Sequence, residues 1–137
     1  MKTEAAQQIL AASRAEAQKI GKAVTIVVVD ATGTPVVLER LDGTAPMTAG
    51  VAEGKAAASA FTGRDSVLLK AMAENNPAIA AALATRLAGR FMPVQGAVVL
   101  KKGGEIVGAV GVSGATAEED EQIARAGATV VDGGEAL

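Results

Sequence analysis

The chain contains no cysteine, no histidine, no tyrosine and no tryptophan. Without cysteine there is no disulfide framework, no thiolate nucleophile and no Cys-based metal site. Without histidine the usual general base near neutral pH is missing, and so is the commonest metal and heme ligand. Only Phe61 and Phe91 are aromatic, which argues against a base-stacking surface for single-stranded nucleic acid. The 13 basic and 15 acidic residues leave a formal net charge of −2, so no basic footprint points to DNA or RNA. The start Met1-Lys-Thr-Glu-Ala-Ala-Gln-Gln8 has no apolar signal core. No segment approaches the roughly 20 apolar residues of a membrane span. No nucleic-acid or membrane partner is therefore expected, and a cytoplasmic location is the default.

What is present is small and apolar. Half of the 137 residues are hydrophobic, chiefly Ala and Val. That length suits one domain over residues 1–137 with a core of its own. Ile9, Leu10, Ala17 and Ile20 share a face at helical spacing, predicting a helix over Thr3 to Ile20 that stops at Gly21. Ala23 to Val29 is nearly continuous and β-branched, as in a central strand covered on both faces. Asp30-Ala-Thr-Gly33 predicts a tight turn, and Pro35 to Leu41 the returning strand. After a loop at Asp42 to Pro46, Ala49, Ala52, Ala56 and Ala60 mark a second helix over Thr48 to Phe61.

A short helix is predicted from Asp65 or Ser66 through Met72. Asn76-Pro77 reads as an N-cap followed by proline, opening a helix that runs to Gly89. Val94 to Lys101 and Glu105 to Val112 form a second hairpin. A last helix runs from Thr116 to about Val130, and Val131 to Leu137 is expected to be a loose tail. The order αββα(αα)ββα favours an α+β fold, a central antiparallel sheet flanked by helices.

Around the last hairpin, Gly108 and Gly111 leave room for close backbone approach, and Gly114 permits a turn. Thr116 stands three residues before Glu119, the spacing of a capping box. Glu118, Glu119 and Asp120 put negative charge on the first helical turn, where the helix dipole favours it. Consecutive helical positions diverge, so this run is expected to be an exposed acidic turn and not a metal site.

Several segments stand in a characteristic order: Val24-Thr-Ile-Val-Val-Val-Asp30-Ala-Thr-Gly33, Glu39-Arg40-Leu41-Asp42-Gly43, Lys55-Ala56, Phe61-Thr-Gly-Arg64-Asp65-Ser66 and Pro93-Val94. Gly108-Ala-Val-Gly111-Val-Ser113-Gly114 and Glu119-Asp120 complete the set, over roughly residues 3–130. This ordered set resembles the GlcG/HbpS family, often labelled heme-degrading or heme-binding. The resemblance implies a profilin-like domain and homo-oligomers, from dimer to octamer. It also implies heme binding in some members and a kinship with the domain that follows a corrinoid adenosyltransferase. The chain departs from the family at Arg90-Phe91-Met92-Pro93, where members often carry Gly-Gly. With no histidine, a His-ligated heme or corrinoid is excluded for the isolated protein.

Five residues stand out as a candidate ligand site: Arg40, Asp42, Lys55, Phe91 and Met92. Arg40 and Asp42 flank Leu41 and point to one face of a strand, as an anion clamp or as a structural pair. Lys55 is a lone lysine in an Ala-rich helix, either reaching into a pocket or covering a solvent face. Phe91 and Met92 are an apolar wall, or core. The Ser113-Gly114 turn before Thr116 can offer N–H groups to an anion, although the acidic run opposes this. Three functions are open. The first is binding of a small molecule, heme or another anionic apolar ligand. The second is an oligomeric accessory protein in small organic acid catabolism. The third is a cofactor-free enzyme on such an acid, with Asp42 or Glu39 as base and Lys55 or Arg40 holding the carboxylate. No metal site is expected.

Overall fold

Four antiparallel strands in the order β2-β1-β4-β3 form the middle layer of the computed structural model, which describes residues 1–132. The elements are α1 (Thr3–Lys19), β1 (Thr25–Asp30), β2 (Pro35–Arg40), α2 (Thr48–Thr62), α3 (Ser66–Asn75), α4 (Pro77–Arg86), β3 (Ala97–Lys102), β4 (Glu105–Ser113) and α5 (Ala117–Asp132). The α+β class and the order αββα(αα)ββα both hold.

The apolar run of β1 is continuous because helices cover both faces of the sheet. Val24, Ile26 and Val28 pack with Ile9, Leu10, Ala17 and Ile123 of α1 and α5. Val27 and Val29 point the other way, onto Ala52, Ala56 and Ala60 of α2. The alanines let α2 lie close to the sheet, and Gly111 makes a particularly close approach. A Cβ at Gly111 would collide with the Ala52 carbonyl and stand 2.9 Å from the Ala56 methyl. On the opposite face Ser13 of α1 donates to the Ile123 carbonyl of α5 at 2.8 Å.

The β1–β2 turn is built as its sequence suggests. Asp30 accepts from the Thr32 and Thr34 N–H groups at 2.9 and 3.2 Å and from the Thr32 hydroxyl at 2.6 Å. Arg90 clamps this turn, donating to the Gly33 carbonyl at 2.7 Å while lying 5.4 Å from the Phe61 ring centre.

Several boundaries move. The last helix includes Val131, which is buried in the core, and ends at Asp132; the rest of the expected tail lies outside the described residues. Its apolar spacing simply continues past Val130. β3 begins at Ala97 and not Val94, because residues 92–96 form a loop tied by Met92 N–H to the Gly54 carbonyl. β1 begins at Thr25, with Ala23 exposed before it. α3 continues to Asn75. α4 does carry proline in its first turn, but Asn76 makes no side-chain cap bond. The chain leaves α4 at Leu87, before the predicted stop at Gly89. No helix among the described residues is long and apolar enough to cross a membrane.

Candidate functional site

Lys55 is neither on a solvent face nor in an open pocket. The residue is 3% exposed, and its ammonium donates to the Val112 carbonyl at 2.9 Å and to Asp120 Oδ2 at 3.2 Å. The other Asp120 oxygen accepts the Ala115 N–H at 2.9 Å. Burial pushes the Asp120 carboxyl above its ordinary range, while the Ala115 N–H and the Lys55 charge pull it back. The ammonium fits because Gly96 stands beside it, with φ +131°; a Cβ there would lie 2.7 Å from Nζ. Lys55 thus joins α2 to the start of α5 around the end of β4. With its charge matched by Asp120, it leaves the candidate ligand set.

The acidic run divides in three. Asp120 turns inward, which corrects the expectation of a wholly exposed turn. Glu119 completes the capping box, accepting from Thr116 N–H at 3.1 Å while its own N–H donates to Thr116 Oγ1 at 3.2 Å. Glu121 pairs with Arg125 at 3.5 Å. The side chains diverge, and no group of three or more acidic residues gathers for a metal among the described residues.

Phe91 is 3% exposed and packs with Ala58 and Leu69, beneath Met72, Leu83 and Leu87. It fills the space between α2 and the α3–α4 pair instead of lining an opening. Met92 is half-buried and lies over Gly54, where a Cβ would meet its Cγ at 2.7 Å. The bulk at this departure from the family therefore goes into packing α2.

Arg40 and Asp42 also part. The strand ends at Arg40, so Asp42 sits in the following turn. Asp42 lines an open cleft of about 330 Å³ with Gln18, Gly21, Lys22, Ala23 and Leu41. A second cleft, of about 380 Å³, lies between α1 and β2, where Arg14 and Glu39 pair at 2.5 Å across Leu10 and Val37. Glu39, a candidate base, is thereby engaged. Neither cleft is lined by Arg40, Lys55, Phe91 or Met92.

Strand register places Arg40 elsewhere. It stands directly opposite Thr25, which stands opposite Ser113 on its other side. Directly paired residues project from the same face of a sheet. That face carries α2, because Thr25 and Thr48 share a hydrogen bond of 2.7 Å. Ser113, Thr25 and Arg40 thus form a row across three strands, under the first turn of α2. Arg40 is exposed and has no acidic partner among the described residues. Leu38 lies two residues back on the same face, 44% exposed, and Met47 precedes the helix at 72%. One hint of this row was legible in the chain, a threonine at the start of the apolar run of β1. Thr48 carried no signal, since only the fold brings it to this end of the sheet.

Comparison with known proteins agrees with this architecture. The family model "Haem degrading protein HbpS-like" matches residues 1–129. Protein GlcG of Escherichia coli K12 is 36% identical over 110 residues, covering 79% of this chain and 77% of that protein. A double mutant of HbpS from Streptomyces reticuli superposes with a TM-score of 0.85 at 29% identity, covering 96% of this chain and 86% of the other. A PduOC:heme complex shares the fold, with a TM-score of 0.86, 23% identity, and coverage of 96% and 95%. With its model matched over nearly the whole chain and a relative at that identity, the chain belongs to the HbpS-like family.

Proposed function

We propose that this protein binds a small anionic, largely apolar molecule, heme being the first to test. The observation that carries the proposal is Arg40. Its charge is unmatched by any described carboxylate and stands on the α2 face with exposed Leu38, while exposed Met47 precedes that helix. A cation beside exposed apolar side chains suits a flat ligand carrying carboxylates. The family description, and a heme complex among proteins of this fold, support heme as the first candidate. With no histidine in the chain, any heme is held without the usual axial bond. Tag-free protein titrated with hemin should show weak, saturable binding that Arg40→Ala weakens further. A sharp bis-nitrogen low-spin spectrum at one heme per chain would contradict the proposal.

A second reading, an oligomeric accessory protein, is favoured by α4. None of its ten residues is fully buried, although Ile79, Leu83 and six alanines or prolines leave Thr85 and Arg86 as its only polar side chains. Such a face suits a contact with another subunit in a closed homo-oligomer. Light scattering should give a multiple of 13.6 kDa at micromolar concentration. A monomer mass would remove this reading.

A further inference from the structure

We infer that the outer edge of β2 pairs antiparallel with the same edge of a second copy of this chain, across a two-fold axis at Leu38. The inference rests on the oligomeric reading and adds to it a contact separate from α4.

The two edges of the sheet differ. On β3 the outward N–H groups are already taken. Ala97 N–H donates to Ser66 Oγ at 2.8 Å and Val99 N–H to Asp65 Oδ1 at 3.0 Å, so the start of α3 seals that edge. Lys101 and Lys102 guard its end. On β2, Pro35 and the irregularity after Val28 protect only the start. Leu41 N–H donates to the Val24 carbonyl at 3.0 Å. Bonding alternates along an antiparallel pair, so Glu39 and Val37 also face β1. Leu38 and Arg40 turn their N–H and C=O groups outward, where they find no partner among the described residues. The strand carries no lysine, and Leu38 is 44% exposed. A free edge of this kind is a template for another strand.

The occupant follows from the register. Outward groups must meet outward groups, so a two-fold axis has to pass through one residue of the strand. An axis at Arg40 sets like charges directly opposite each other. One at Glu39 brings the two Glu39 Cα atoms to about 4.5 Å, with an Arg14 crowded onto each. An axis at Val36 or Val37 sets Leu38 or Arg40 against Thr34, whose N–H is already given to Asp30 at 3.2 Å. An axis at Leu38 meets none of these obstacles. Leu38 then faces Leu38, Arg40 faces Val36, and Glu39 faces Val37. The two Glu39 residues stand diagonally, about 7–8 Å apart, each neutralised by its own Arg14. The free edge is thus complementary to itself in one register, in its hydrogen bonds and in its charge.

The chain has no cysteine, so Leu38→Cys supplies a single thiol. Residues that exchange both bonds of an antiparallel pair stand about 5.5 Å apart at Cα, within disulfide reach. Mild oxidation of the full chain at micromolar concentration should link Leu38→Cys into a disulfide dimer, with Ile79→Cys on α4 as the comparison. In the unsubstituted chain the Leu38 and Arg40 amides should exchange slowly with deuterium, read by NMR. Leu38→Lys puts like charges on the axis and leaves the bonds to β1 intact. It should free both amides to exchange while Glu39 keeps its protection. Fast exchange of Leu38 and Arg40 in the parent, or protection that Leu38→Lys leaves undisturbed, would overturn the inference. A disulfide dimer from Ile79→Cys with none from Leu38→Cys would also overturn it, and would leave the oligomeric reading standing. A dimer from Leu38→Cys alone supports the edge and moves the contact from α4 to β2. A monomeric parent in light scattering would end both.

Discussion

The Lys55 ammonium and the Asp120 carboxylate meet 3.2 Å apart with both side chains 4% exposed, joining helices that lie on opposite faces of the sheet. Removing one partner of a buried pair leaves the other charged in a poorly solvated place. Lys55→Met is therefore expected to cost about 3–5 kcal/mol in chemical denaturation. Lys55→Met combined with Asp120→Leu should recover much of that loss. Equal stability of the single variant and the parent would mean that water reaches the pair.

Asp120 also makes a pH prediction. Its folded carboxyl is raised by burial, so the folded state holds that proton more tightly than the unfolded chain does. Its contribution to stability falls as pH rises from the ordinary carboxylate range through the raised folded value. Asp30 acts oppositely. The Thr32 hydroxyl, first among its partners, holds its carboxyl below the usual range. The stability it adds is complete above the unfolded value of about 4 and is lost as pH falls through the folded one. Asp30→Ala should cost about 1 kcal/mol at pH 7. Denaturation midpoints of variant and parent should converge as pH falls below the lowered folded value.

The capping box makes the last helix depend on Thr116. Thr116→Ala should lower stability by about 1 kcal/mol, the usual scale for an N-cap side chain. Glu119→Ala should also lower it, since the Thr116 N–H then loses its acceptor. Thermal melts of both variants that superpose on the parent would show that the helix is held by packing alone.

Gly111 lies where α2 touches the sheet. Gly111→Ala should cost about 1–3 kcal/mol through overpacking, because the Ala52 carbonyl and the Ala56 methyl cannot both withdraw from β4. A neutral effect in urea unfolding would show that α2 slides freely along the sheet.

Local patterns carried the fold. The unbroken apolar run from Ile26 to Val29 in β1 required cover on both faces, since alternate residues of a strand point to opposite sides. The Asp30–Gly33 turn, Thr116 with Glu119, and the alanine spacing of α2 each act within a few residues, so the chain determines them by itself. The absence of histidine and cysteine is equally a property of the chain. The partnerships were decided by tertiary structure. Lys55 and Asp120 are 65 positions apart, and only the crossing of α2 and α5 at the end of β4 turns a surface-type lysine and an acidic-turn aspartate into a buried pair. Phe91 and Met92 read in sequence as pocket wall or core; the placement of α3 and of Gly54 turned both onto α2. Arg40 gained its neighbour Thr25, and the row that continues to Ser113, from strand register, which depends on long-range pairing.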